Sequence, residues 1–217
     1  MKKTMFWGLM ALCAVSLRGV QAPRYVEPAK PQGFFRAGMG AVIPGNGYWS
    51  GHGAFGAGLE GGARFGGGYE HEVSLGVSCF GWQETYSTGS QGRWRGTYRE
   101  EFTPFLLGYA YHLKFGRDGG FGFYAGPLAG VTVASASEAD DGGWFYWGDT
   151  WSSDSRAAFS WGGQAGVRWV FNKWFELSAG YRFLRINGGT LTTWDYGVVR
   201  TPALNTHAIL IGFGGRF

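Results

Sequence analysis

The sequence predicts an all-β chain folded as an eight-stranded antiparallel up-and-down transmembrane β-barrel, with short periplasmic turns and long extracellular loops. Three observations carry that expectation. Glycine takes 41 of 217 residues and aromatics 18%, while only 16% are charged; a soluble domain holds roughly 7% Gly and about 25% charge. Residues alternate between apolar and small or polar with period two in eight stretches, and helical spacing explains none of them. The connections between the stretches alternate in length, as they do in barrels that cross a membrane. Collagen is excluded because there is no Gly-X-Y repeat, and a disordered glycine-rich tract because aromatics are abundant. Mean hydropathy is -0.13, and past the N-terminus no apolar run reaches the ~18 residues that a membrane helix needs.

Residues 1–22 read as a signal peptide. Lys2 and Lys3 make a positive n-region, Met5–Val15 is apolar but too short to span, and Val20-Gln21-Ala22 offers small residues for cleavage. Its removal takes away Lys2, Lys3 and Arg18 and leaves 16 basic against 15 acidic residues, so basicity gives no support to nucleic-acid binding. Only Cys79 remains in the mature chain, which excludes an internal disulfide. Residues 23–32 hold three of the seven prolines and read as an extended periplasmic tether. The barrel domain is then 33–217.

The eight stretches fall at about 33–43, 54–66, 71–82, 99–113, 121–134, 157–171, 174–186 and 205–217. The last is the clearest: Ile209, Ile211, Phe213, Gly215 and Phe217 alternate with Ala208, Leu210, Gly212, Gly214 and Arg216. Gly67–Glu70, Lys114–Gly120 and Asn172-Lys173 are short connections. Pro44–Gly53, Gln83–Tyr98, Ser135–Arg156 and Asn187–Leu204 are long, polar and rich in Trp and Tyr.

Volume decides which face points outward. An eight-strand bore is just wide enough to fill with side chains, so bulky residues are assigned to lipid, and small residues with a few charges to the lumen. Closure then satisfies every backbone donor and acceptor, as hydrocarbon requires. Trp174, Phe175, Tyr111 and Phe115 at the turn end, with Trp161 and Phe159 at the loop end, suit interfacial girdles. The inward parity carries Arg36, Glu60, Arg64, Glu72, Arg168, Glu176, Arg182 and Arg216, together with His112 and Gln164. Both signs are present, so neighbouring strands are expected to pair them into a plug rather than a pore.

With this pattern the chain resembles the small eight-stranded outer-membrane proteins, the OmpA-type transmembrane domain and opacity-protein-like β-barrel family. The resemblance rests on strand–long loop–strand–short turn, on glycine-rich strands such as Tyr124–Val131, and on the terminal Phe217. It implies that Ile209, Ile211, Phe213 and Phe217 form the signal read by the barrel-assembly machinery, with Gly215 smaller than the pattern favours. It also implies an outer membrane of the Gram-negative type, with outer-membrane lipid and lipopolysaccharide as surroundings. No residues follow Phe217 to make the peptidoglycan-binding domain of full-length OmpA proteins.

Other motifs weigh little. Gly56-Ala-Gly58-Leu-Glu-Gly61 fits G-x-G-x-x-G but lacks a strand–helix context. His52, His71, His112 and His207 are scattered and show no zinc-binding spacing. Barrel deacylases place Ser two residues after His, where this chain has Ala54, Val73, Lys114 and Ile209. Barrel palmitoyltransferases begin with an amphipathic helix, for which 23–32 is a poor substitute. Neither a catalytic residue nor a cofactor or metal is expected.

Two loop clusters remain. One holds Arg93, Arg95 and Arg99 with Glu84, Glu100 and Glu101. The other holds Glu138, Asp140, Asp141, Asp149 and Asp154 with the aromatics Trp144, Phe145, Tyr146, Trp147 and Trp151. The bland reading is a solvated face. The sharper one pairs the arginines with carboxylates or lipopolysaccharide phosphates and makes the aromatic run a recognition surface. A cation at Asp140, Asp141 and Asp149 lacks EF-hand spacing. The expected function is therefore a non-enzymatic outer-membrane protein, structural or adhesive, working through its exterior loops. A narrow small-solute channel and a lipid A-modifying enzyme are the alternatives.

Overall fold

A computed structural model describes residues 30–45, 53–88, 94–115, 120–141, 152–172, 174–193 and 197–217. Among the described residues there are ten strands: β1 Gln32–Pro44, β2 Ala54–Phe65, β3 His71–Thr88, β4 Trp94–Phe115, β5 Phe121–Asp141, β6 Ser152–Val170, β7 Phe175–Ile186, β8 Gly189–Thr193, β9 Gly197–Thr201 and β10 Leu204–Arg216. Eight of them close a fully antiparallel barrel in the order β1-β10-β7-β6-β5-β4-β3-β2, while β8 and β9 form a separate hairpin. The expected signal peptide, and most of the expected tether, lie outside the described residues.

Closure is completed at the chain's end. Gly33 and Phe217 exchange backbone hydrogen bonds at 2.9 and 3.0 Å. A Cβ on Gly33 would meet the Phe217 ring at 2.4 Å, so the aromatic lies where only glycine leaves room. The short turns have local causes. In the β2–β3 turn Gly66 takes φ 99°, a region open to glycine. In the β6–β7 turn the Asn172 carboxamide oxygen accepts from the Trp174 and Phe175 amides at 2.8 and 2.9 Å, as Asn does in turns.

Alternation sends bulky side chains outward. Leu75, Phe105, Leu107, Phe159, Trp169, Ile209, Ile211 and Phe213 are among the large apolar residues exposed around the barrel. The belt has a definite upper limit. Along one hydrogen-bonded row Val77, Phe105, Val131 and Phe159 are neighbours, whereas the row four residues above is Gly81, Glu101, Ser135 and Ser155.

Two expectations need correction here. The segments 83–98 and 135–156 are largely strand rather than loop, since β3–β6 continue five to seven residues past their expected ends. Above the belt no lipid demands a bulky outward residue, so the apolar alternation that marks a strand stops while the backbone pairing goes on. The connection after β7 contains the β8–β9 hairpin.

The lumen is expected to hold small residues and a few charges, but large apolar side chains fill much of its loop-end half. Val42, Phe80, Trp82, Phe102, Leu106, Leu128, Leu184, Ile186 and Leu204 form one buried cluster there. Phe80, Trp82 and Phe102 pack with ring centroids 5.4 Å apart, within the range of favourable aromatic pairs.

Candidate functional site

The turn-end half of the lumen is ionic. Seven charged side chains from five strands meet there: Arg36 of β1, Glu60 and Arg64 of β2, Glu72 of β3, Arg168 of β6, and Glu176 and Arg182 of β7. Alternation and register bring them together. Arg36 lies opposite Glu60, and Arg64 opposite Glu72, on hydrogen-bonded neighbours.

Arg64 is the centre. It grips Glu176 with two parallel bonds of 2.7 and 2.6 Å and donates through Nε to Glu72 at 2.6 Å. A fork–carboxylate match of this kind is the strong form of an ion pair. Arg36 reaches Glu60 at 3.3 Å and both Glu72 and Glu176 at 3.4 Å. Arg168 donates to Glu72 at 3.2 Å, while Arg182 stands 3.9 Å from Glu60. Arg64, Glu72 and Glu176 are each at most 1% exposed. Taking such groups from water is costly, and the cost is offset only when each charge is met on several sides. Here each buried carboxylate meets at least two guanidinium groups.

Around this cluster sit residues with supporting roles. The Phe34 ring underlies the guanidinium groups of Arg64 and Arg36 at 4.4 and 5.1 Å, a cation–π arrangement. His112 Nε2 lies 3.2 Å from a Glu72 oxygen without hydrogen-bond alignment. A Cβ on Gly180 would sit 2.3 Å from the Tyr124 hydroxyl, so that side chain lies along the inner wall over the bare backbone of Gly166 and Gly180. Charge and parity do not single out Phe34 and Tyr124 as members of this site. Phe34 was legible, two residues before Arg36 and thus on its face.

The expected lumen residue Arg216 does not join the cluster. At the end of β10 it donates instead to the Asn172 carbonyl at 2.5 Å, in the β6–β7 turn. Its place at the strand end puts that carbonyl nearer than any carboxylate.

Of the expected loop residues, Arg99 belongs to β4 and pairs with Glu101 at 2.5 Å, both well exposed. Glu100 departs from the loop reading: it faces inward, 1% exposed. Arg93, Trp144, Tyr146, Trp147 and Trp151 lie outside the described residues, and of Arg95 only the backbone, opposite Asp141, is described.

Ile209, Ile211, Phe213 and Phe217 line the outer face of β10 and its end, each more than half exposed. Phe213 stacks on Phe175 of the neighbouring strand at 5.7 Å.

Comparison with known proteins agrees with this architecture. The structure is similar to the Neisserial surface protein A, NspA, with TM-score 0.53 and 12% identity, covering 88% of this chain and 100% of that one. It is similar to the attachment invasion locus protein Ail of Yersinia pestis, solved with the heparin analogue sucrose octasulfate, with TM-score 0.51 and 14% identity over 86% and 99% of the chains. The Escherichia coli outer-membrane protease OmpT matches more loosely, at TM-score 0.41 and 7% identity over 89% and 99%, too distant to bear on activity. Sequence comparison with curated proteins finds no match. Likeness at these identities concerns the fold, while the family follows from the sequence: the model of the outer membrane protein beta-barrel domain matches residues 10–217, nearly the whole alternating chain. The chain belongs to that outer-membrane β-barrel family.

Proposed function

We propose that this outer-membrane barrel is non-enzymatic, reaches the membrane by the signal peptide 1–22, and acts as a surface-interaction protein through its loop end. One observation carries the reading: β3–β6 continue beyond the apolar belt as a four-stranded sheet while β1, β2, β7 and β10 stop near it. Extra paired strand above the lipid serves no need of the bilayer, but it carries the ends of β3–β6 beyond the belt. Rigid scaffolds presenting variable tips are how folds commonly carry recognition. The tips 89–93 and 142–151 hold Arg93 and the aromatics Trp144, Tyr146, Trp147 and Trp151, residue types enriched where binding energy concentrates. Arg95 and Arg99 stand on β4 near these segments, and guanidinium groups suit phosphate or sulfate; Ail, with a heparin analogue bound, is a barrel of similar fold.

The test is binding of the purified barrel to immobilised heparin and to lipopolysaccharide. Parallel samples would have 89–93 and 142–151 replaced by short Gly-Ser connections. Retention that weakens with salt and disappears on replacement is expected. Equal retention of the trimmed and intact barrels would overturn the reading. The assembly role of the C-terminal strand is checked by deleting Phe217 in cells, where reduced insertion is expected.

A further inference from the structure

Between the ionic and the apolar cluster the lumen holds a cavity of about 80 Å³. Along β1, β4 and β10 only lumen-facing residues border it, but β2 and β3 border it with unbroken runs, Gly56–Glu60 and Gly76–Phe80. Between Glu60 and Phe80 at the ends of those runs, the inward positions are Gly56, Gly58, Gly76 and Ser78. This panel of wall is therefore nearly bare backbone, with no layer of large side chains behind it.

Its hydrogen bonding is thin as well. β3 pairs with β4 at Val77–Phe105 and again at Phe80–Phe102 in the same register, but not at the two positions between, where Pro104 stands. The β4–β5 ladder runs unbroken through Pro104–Thr132, so the N–H that proline lacks is the one that would face Ser78. On the other edge, β2–β3 pairing ends at Ala57–Cys79. A second proline gives a comparison. Pro127 interrupts β4–β5 pairing beside Tyr109 and Ala110 in the same way, yet no residue of that seam borders the cavity. A Cβ on the neighbouring Gly108 would meet Ser74 at 2.7 Å and Leu128 at 3.0 Å, so side chains back the wall there.

Outside the panel Leu59, Val77 and Phe105 face the lipid, and Val77 belongs to the uppermost apolar row of the belt. Inside, Phe80, Pro104 and Leu106 border the cavity next to the seam, with Leu184 and Leu210 across from it. We infer that the panel around Ser78 is a lateral portal, by which a small uncharged apolar solute passes from the outer leaflet into the cavity. The cavity has about half the roughly 150 Å³ that accepts benzene, which suits a solute of about three or four carbons.

The experiment places the barrel in lipid vesicles with Cys79→Ser and Leu210→Cys, so that one thiol borders the cavity on β10. Labelling is read by mass at that residue. Uncharged N-ethylmaleimide should label it, and a sulfonated, membrane-impermeant maleimide should not. Pro104→Val returns the missing N–H at similar bulk and should slow labelling about fivefold, the weight of one added backbone hydrogen bond on an opening equilibrium. Pro127→Val, in the backed seam, should leave the rate unchanged. Thr103→Cys in a barrel that keeps Cys79 adds a reversible clasp, because the two stand opposite in register at a spacing that a disulfide spans. Oxidising the clasp should slow labelling of Leu210→Cys at least as much, and reduction should restore it. Equal labelling by the two reagents overturns the portal, as does an unchanged rate in Pro104→Val or equal slowing by Pro127→Val. Should Pro104→Val fail to fold, the clasp decides: labelling that oxidation leaves unchanged overturns the inference.

Discussion

The two halves of the lumen solve one problem in opposite ways. Both must fill a bore that only side chains can fill. Near the turns it is filled by long, flexible arginines that become rigid through multiple carboxylate contacts, Arg64 most of all. Near the loops it is filled mostly by Phe80, Trp82, Phe102 and aliphatic neighbours, with stacked rings and with Glu100 buried opposite Trp82. The difference lies in what happens when one member is lost. An apolar layer loses contacts in proportion to the volume removed. An ionic layer is left with a buried charge that has no counterpart, and the whole set must readjust.

Unequal consequences of substitution would expose that contrast, and urea unfolding of the detergent-folded barrel measures them. Glu176→Ala strips both strong bonds from one edge of Arg64 and should cost about 3–5 kcal/mol; a loss below that of an apolar truncation would break the comparison. Ile211→Arg, on the exposed outer face of β10, should cost about 2–4 kcal/mol by placing charge in hydrocarbon. If the inner and outer faces were exchanged, this variant would instead be accommodated among the lumen charges. Leu106→Ala in the apolar half borders the cavity, where neighbours have room to relax, and should cost about 2–3 kcal/mol. Arg99→Ala breaks an exposed pair with Glu101 above the belt and should change stability by no more than about 0.5 kcal/mol. That variant sharpens the contrast between paired arginines in water and in the bore. Planar-bilayer recording adds a functional check, since a bore crossed by the Arg64 cluster should give no large, steady, porin-like conductance.

Much of the barrel was legible because lipid is a demanding solvent. Within the belt each outward position must be apolar, so the alternation of Ile209, Ile211 and Phe213 fixed β10 and its facing together. Parity likewise placed Arg36, Glu60, Arg64, Glu72, Arg168, Glu176 and Arg182 on the lumen face. Arg216 shares that parity, but a strand end offers it a turn carbonyl, and alternation says nothing about height. The extension of β3–β6 was hidden for a related reason. Water accepts Arg99, Glu101 and Ser155 on the outer face as readily as it accepts loop residues, so paired backbone leaves no periodic trace.

By itself, then, the sequence determined the number of barrel strands, the face of each within the belt and the presence of both charge signs inside. Those follow from a two-residue period read against a solvent that permits one answer. The tertiary structure alone decided which charges meet. Whether Arg64 grips Glu176 or Arg36 leans on Glu60 depends on the stagger of strands around a closed barrel, and that stagger relates residues more than a hundred positions apart. It also decided that an apolar cluster fills much of the loop-end half and that a cavity lies between it and the ionic cluster. Those are properties of heights along the bore, which period-two alternation does not encode.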